Sequence, residues 1–236
     1  MTTVGSGAAG APSDAVDDLR RSTMFAAADD GVLRGLAGRS FRRRLREGQI
    51  LFTEGEPSDH LFVVRAGRIR VLARSPQGAE LVLSVLGPGE VIGELSVIDQ
   101  GPRSATAEAL DDVELLAVPA PDVRAVLEQH PGLLLSAAAE LAGTVRRLTG
   151  SAGDLVFLDL PRRLAKLLLS EATPGPDGVP RVDVGMSQTG LAARLGVTRQ
   201  TLNRALTGLV RHGWVDQRNG SYLLLDPDAL QQFAGS

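Results

Sequence analysis

The 236-residue chain contains no cysteine and few aromatic residues, with six phenylalanines, one tyrosine and one tryptophan. The absence of cysteine excludes disulfide bonds, thiolate zinc sites and cysteine-held iron–sulfur clusters, and it suits the reducing cytoplasm. The three histidines, His60, His130 and His212, lack metal-ligand spacing, so we expect no metal site. No run of eighteen apolar residues occurs, so no membrane segment is predicted.

The two ends of the chain differ in composition. The first fifteen residues, MTTVGSGAAGAPSDA, have neither the cationic start nor the apolar core of a signal peptide, and their small residues predict a disordered tail over residues 1–17. The formal net charge is −3. From Asp159 onward, however, the chain has nine basic and seven acidic residues, whereas the part before Asp159 has sixteen basic and twenty-one acidic residues. A basic C-terminal block favours a partner that carries phosphates.

Residues 41 to about 118 carry a β pattern. Short apolar runs such as HLFVV and LVLSVL alternate with glycine-containing turns about every ten residues, which predicts a small antiparallel barrel or sandwich. A helical piece from Met24 to Leu36 precedes it. We therefore predict one domain over residues 18–130.

A helical period begins near Pro121 and is interrupted at His130-Pro131-Gly132. The following segment, residues 131–157, is predicted to be one long helix. Four leucines lie seven residues apart on it: Leu134, Leu141, Leu148 and Leu155. This spacing favours a dimer seam, because apolar residues at a and d positions of a heptad face a partner helix. The alternative is a helix packed against its own domain, which usually needs a wider apolar face.

Residues 158–236 contain the pattern of a helix–turn–helix, in SQTGLAARLGVTRQTLNRALTGL. Ser187 and Thr198 are suited to cap the two helices, and Gly196 supplies the turn. The second helix separates an apolar face from a polar arc, which comprises Arg199, Gln200, Asn203 and Arg204. A solvated amphipathic helix would also show this pattern. The absence of acidic residues from Arg194 to Arg211 favours DNA binding instead, and Asn219-Gly220 predicts a hairpin wing.

The stretch GELSVIDQGPRSATA combines groups that recognise a phosphorylated sugar. An arginine such as Arg103 matches phosphate oxygens in a planar, paired fashion, and the hydroxyl of Ser104 adds a donor. Glu94 can accept from a ribose hydroxyl, and Gly93 lets the backbone approach closely. The alternative is a buried ion pair between Glu94 and Arg103.

Together these motifs resemble the bacterial CRP/FNR regulators over roughly residues 20–230. The resemblance implies an α+β fold: an N-terminal cyclic-nucleotide-binding β-roll, a long dimerisation helix and a C-terminal winged helix–turn–helix. It implies a non-enzymatic homodimer with cAMP as ligand, and double-stranded DNA and RNA polymerase as partners. The implied nucleotide contacts are Gly93, Glu94, Leu95, Arg103, Ser104 and Thr149. The implied DNA contacts are Ser187, Gln188, Thr198, Arg199, Gln200, Asn203 and Arg204.

Two departures from the family pattern bear on function. Leu148 stands where cAMP receptors commonly place a threonine that contacts adenine, which leaves open a regulator with an altered pocket that is active without ligand. Gln200 stands where the family usually has glutamate; glutamine can pair with adenine, whereas glutamate accepts from cytosine. An enzyme regulated by a nucleotide module is disfavoured, since the winged helix occupies the rest of the chain.

Overall fold

The computed structural model describes residues 12–75, 78, 80–175, 178–183, 188–218 and 221–235. The chain divides into two units, Met1–Arg74 with Leu83–Arg146, and Ser75–Val82 with Arg147–Ser236. Within the described residues, no helix is both long enough and apolar enough to cross a membrane. Each unit has an apolar core of its own.

The first unit begins with two helices, α1 (Pro12–Arg21) and α2 (Asp30–Ala37). The side chain of Asp29 accepts a hydrogen bond from the backbone N–H of Val32 at 2.9 Å and so caps α2. Helix α1 corrects the predicted tail over residues 1–17, because residues 12–17 are helical. Helix α1 is held by its apolar residues Ala15, Val16 and Leu19, which pack in a hydrophobic core of the first unit. Charged residues alternate with these three in the sequence, so the apolar pattern of the helix is weak.

Two antiparallel four-stranded sheets follow, with strand orders β1-β8-β3-β6 and β2-β7-β4-β5. The strands are β1 (Phe41–Leu45), β2 (Ile50–Phe52), β3 (His60–Ala66), β4 (Ile69–Arg74), β5 (Glu80–Leu86), β6 (Val91–Ile92), β7 (Thr106–Ala109) and β8 (Val113–Pro119). Alternate residues of β3 face opposite sides. Phe62 and Val64 join the core between the sheets, whereas Leu61 and Val63 join the core under the helices. Burial on both faces explains why the LFVV run, Leu61 to Val64, is continuously apolar.

Three helices complete the first unit: α3 (Glu94–Asp99), α4 (Ala120–Gln129) and α5 (Pro131–Phe157), the last continuing into the second unit. Helix α5 covers the range predicted for the long helix. Leu133 and Ala137 bury one of its sides in the first core. Its exposed apolar residues are Leu134, Leu135, Val145, Leu148, Leu155, Val156 and Phe157. The fourth seam leucine, Leu141, is half-buried.

The second unit contains α6 (Leu160–Glu171), β9 (Arg181–Asp183), α7 (Gln188–Leu195), α8 (Arg199–Arg211), β10 (Val215–Arg218), β11 (Ser221–Leu224) and α9 (Pro227–Gly235). The strands form an antiparallel sheet in the order β10-β11-β9. Strands β10 and β11 pair as the predicted wing requires, whereas Asn219-Gly220 lies outside the described residues. Helix α9 was not predicted; its Leu230 and Ala234 enter the core beside α6.

Candidate nucleotide pocket and DNA-binding surface

The turn between β6 and α3 brings the backbone close to a buried arginine. Gly93 has φ +88°, a left-handed conformation that favours glycine. A Cβ at this position would clash with Nη1 of Arg103. Gly93 therefore lies against the side chain proposed to bind phosphate, whereas its predicted close approach to a nucleotide stays a prediction.

Arg103 is only 3% exposed, yet the hydrogen bonds of its guanidinium among the described residues go to backbone carbonyl oxygens and not to a carboxylate. Its Nη2 donates to the backbone carbonyl oxygen of His60 at 2.7 Å, and its Nη1 donates to that of Gly93 at 3.3 Å. Its Nε is buried without a hydrogen-bond partner in the described structure. A buried polar group without a partner is costly, so a ligand oxygen at Nε would be stabilising.

The main chain holds the arginine loop in place. The backbone N–H of Arg103 donates to the carbonyl oxygen of Glu56 at 2.9 Å, and the carbonyl oxygen of Arg103 accepts from Gly55 N–H at 2.8 Å. Burial lowers the pKa of the Arg103 guanidinium, and the carboxylates of Asp59 and Glu94 oppose that change. Arginine nevertheless stays charged at neutral pH.

Glu94 is the first residue of α3 and is half-buried. Burial raises the pKa of its carboxyl group, and the negative charge of Glu140 acts in the same direction. Among the described residues, the hydrogen bonds of the Arg103 guanidinium go to the carbonyl oxygens of Gly93 and His60, and the direct Glu94–Arg103 ion pair of the alternative is not formed, although the two charges act on each other's pKa. Both charges thus remain available to a third group.

The other predicted nucleotide contacts differ in their placement. Leu95 is 41% exposed on α3, and Ser104 is exposed immediately after Arg103. These two residues therefore adjoin Glu94 and Arg103. Thr149 is exposed on α5 within the second unit, and its contact with nucleotide stays a prediction.

The predicted helix–turn–helix corresponds to α7 and α8. The Thr198 hydroxyl accepts from the backbone N–H of Thr201 at 3.2 Å, as expected for the cap of α8. Gly196 has φ +65°, which a tight turn requires. The predicted apolar positions are buried: Leu191, Ala192, Leu195, Leu202, Ala205, Leu206 and Leu209.

The opposite face of α8 forms an open, polar depression. Its lining residues are Arg199, Gln200, Asn203, Arg204 and Thr207. Nε of Arg199 donates to Oε1 of Gln188 at 3.0 Å, which brings together two predicted DNA contacts from different helices. Thr207 was missed by the sequence analysis, although it lies one turn after Asn203. Ser187 lies outside the described residues.

Arg194, on α7, forms an ion pair with a residue that is distant in the sequence. The sequence shows no acidic residue near it, but its Nη2 lies 2.8 Å from Oε1 of Glu171 at the end of α6. This non-local ion pair engages part of the positive charge on α7. The arginines that line the depression on α8 are Arg199 and Arg204.

Comparison with known proteins supports both halves of this description. Residues 42–130 match the family described as the cyclic nucleotide-binding domain, and residues 162–233 match the Crp-like helix-turn-helix domain. A CRP-like cAMP-activated global transcriptional regulator of Mycobacterium tuberculosis is 30% identical over 219 residues, covering 92% of this chain and 98% of that protein. The chain belongs to the CRP/FNR family. It is a DNA-binding transcription regulator with a cyclic nucleotide-binding domain, and not an enzyme.

Other members of the CRP/FNR family agree with this assignment. The cyclic AMP receptor protein of Thermus thermophilus is 33% identical over 195 residues, covering 82% of this chain and 88% of that protein. A CRP/FNR-family regulator structure from Thermus thermophilus aligns with TM-score 0.67 at 26% identity, covering 83% of this chain and 98% of that one. A c-di-GMP-responsive regulator of Xanthomonas campestris, 24% identical, aligns with TM-score 0.72 over 84% and 100% of the two chains and shares the fold. The predicted family and fold class are confirmed.

Proposed function

We propose that this chain is a homodimeric, cytoplasmic transcription regulator that binds cAMP through Arg103 and an inverted-repeat operator through α8. The observation that carries the proposal is the environment of Arg103. Its guanidinium is buried, two backbone carbonyl oxygens hold it, no carboxylate of the described residues forms an ion pair with it, and its Nε is without a hydrogen-bond partner. A cyclic phosphate supplies the missing anion, and charge-assisted bonds to it are stronger than neutral ones.

The remainder of the pocket favours a nucleotide over a free anion. Glu94 lies one residue from Gly93 and can accept from the ribose 2′-hydroxyl, while exposed Ser104 adds a hydroxyl donor. The choice of cAMP rests on relatives, because the mycobacterial and Thermus proteins are named for that ligand.

The dimer is proposed from α5. Its seam positions include Leu134, Leu148 and Leu155, each at least 44% exposed in the single chain. Burying each leucine contributes roughly 1.5–3 kcal/mol, which makes association of two α5 helices favourable. A symmetric dimer presents two α8 helices, and these require half-sites about one helical turn apart.

A second candidate is the same regulator with an altered pocket, active without ligand. Leu148 favours it, because a leucine at the adenine-contacting position cannot hydrogen-bond the base. In that case operator affinity would be the same with and without cAMP.

DNA binding is tested by fluorescence anisotropy on a duplex selected from a random library. We expect wild-type protein to bind an inverted repeat, and Arg204→Ala to weaken binding by about 1–3 kcal/mol, because it removes a donor that can pair with guanine. Arg34→Ala, which removes an exposed arginine of α2, is the matched control and should leave affinity unchanged. Equal loss in both variants would show non-specific charge attraction instead.

A further inference from the structure

Two phenylalanine rings lie beside the guanidinium of Arg103. Phe52 ends β2 and Phe62 lies in β3, so the rings come from the two different sheets. Their centroids are 6.2 Å apart with the ring planes 29° from parallel. The central carbon of the guanidinium lies 4.2 Å from the Phe52 centroid and 5.6 Å from the Phe62 centroid.

The contact between Phe52 and Arg103 reduces the energetic cost of burying the guanidinium without an ion-pair partner. A buried cation without a counter-ion is costly, and a permanent carboxylate partner would compete with an incoming phosphate. An aromatic face attracts a cation through its quadrupole and does not occupy the N–H groups at the guanidinium edge. Phe52 therefore stabilises the charge of Arg103 while leaving Nε unbonded.

The same contact restricts the geometry of the side chain. The central carbon of the guanidinium lies over the Phe52 ring, and its two terminal nitrogens donate to the carbonyl oxygens of His60 and Gly93. An arginine ordered before ligand binding loses less conformational entropy when the phosphate arrives. Phe62 contributes less to this effect, since it is farther away and also lies 5.8 Å from the guanidinium of Arg43.

We propose that Phe52 is a positioning residue for nucleotide binding, which acts through Arg103 and does not contact the ligand. This inference rests on the proposed function, because it requires Arg103 to bind the cyclic phosphate. It assigns part of the ligand affinity to a hydrophobic residue at the end of β2 that sequence patterns alone identify only as core.

The test is calorimetric titration with cAMP of the full chain, stripped of nucleotide. Phe52→Leu keeps an apolar side chain but removes the ring, and it should weaken affinity about tenfold, which is about 1.4 kcal/mol. Phe52→Tyr keeps the ring face and should stay within about threefold of wild type. Phe25→Leu is the matched control, since Phe25 is fully buried in the other core of the same unit, and it should leave affinity unchanged.

Each outcome of these titrations either supports or overturns the positioning role of Phe52. If Phe52→Leu fails to fold, Phe52→Met, which is closer in volume, replaces it with the same expected loss. Equal weakening by Phe52→Leu and Phe25→Leu, or equal weakening by the leucine and tyrosine variants, overturns the positioning role. Unchanged affinity in Phe52→Leu also overturns it. If wild-type protein binds no cAMP, the proposed ligand itself is wrong, and the positioning role falls with it.

Discussion

Arg103 donates from Nη2 to the backbone carbonyl oxygen of His60 at 2.7 Å. This bond connects the loop after α3 to the first residue of β3, a strand that lies inside its sheet between β8 and β6. Because the acceptor is neutral, the bond fixes the guanidinium without cancelling its charge. The pocket thus holds a cation that is positioned by a bond to an inner strand of the sheet, which is the arrangement an anionic ligand needs.

The pKa of Glu94 leads to a pH prediction. Its carboxyl pKa is raised by burial, so the folded chain holds a proton more tightly than the unfolded chain does. The charged form therefore destabilises the fold at neutral pH, and this cost is relieved as pH falls through the raised pKa toward the ordinary value of about 4.3. We expect Glu94→Gln to be more stable than wild type at pH 7.5, with a smaller difference at pH 5.

Urea unfolding followed by far-ultraviolet circular dichroism at the two pH values measures this difference. Glu128→Gln, at an exposed position of α4, is the control and measures the effect of removing one surface carboxylate at each pH. A stability advantage of Glu94→Gln that grows as the pH is lowered would contradict the raised pKa.

The dimer seam can be tested with two adjacent alanines. Ala138 lies four residues after Leu134 and three before Leu141, on the same side of α5 as the seam leucines, whereas Ala139 lies one position farther around the helix. Both alanines are exposed in the single chain. Ala138→Asp places two carboxylates in a desolvated seam, so we expect its dimer dissociation constant to rise at least about tenfold. Ala139→Asp should behave as wild type. Sedimentation equilibrium measures all three, and a monomeric wild type at micromolar concentration would rule out the seam.

Ligand control should be modest in this chain. A ligand shifts an equilibrium only by its difference in affinity for the two states. Leu148 is 45% exposed, and in the proposed dimer it would favour helix pairing whether or not nucleotide is bound. We expect cAMP to tighten operator binding on the order of tenfold, about 1.4 kcal/mol, and Leu148→Thr to increase that factor. DNA titrations with and without cAMP measure both; wild-type binding only at saturating nucleotide would be the opposite result.

Base preference should depend on Gln200. This residue lies in the polar depression of α8 between Arg199 and Arg204 and lacks the charge that favours the cytosine amino group. Selection from random duplexes should yield an inverted repeat with guanines and with adenine favoured opposite Gln200. Gln200→Glu should shift that position toward cytosine by about 1–3 kcal/mol. An unchanged half-site in the variant would remove Gln200 from base recognition.

Local patterns were sufficient for most elements of this fold. The periodicity around Leu202 and Leu206, the cap at Thr198 and the glycine at Gly196 are all encoded within a few residues, and the structure shows each of them. Helix α1 was missed because its few apolar contacts are interspersed with charged residues. Helix α9 was missed because only Leu230 and Ala234 mark its buried side.

Non-local contacts could not be predicted in the same way. The sequence identified Arg103 and Glu94 as a pair of charges, yet the partners of Arg103 are main-chain oxygens of residues ten and forty-three positions away. Phe52 reaches Arg103 only because the β2–β3 loop pairs with the loop after α3. Likewise, Glu171 engages Arg194 from another helix. Such contacts depend on the way the sheets pack, which residue spacing does not specify.

The central claim is that this chain binds a cyclic nucleotide through Arg103. Calorimetric titration of nucleotide-free wild type and Arg103→Ala with cAMP and cGMP tests it most directly. Removing the guanidinium from a buried anion should cost about 3–5 kcal/mol, so the account predicts saturable cAMP binding at one site per chain in wild type and none measurable in the folded variant. Absence of binding of either nucleotide to wild type, or unchanged affinity in Arg103→Ala, would contradict it.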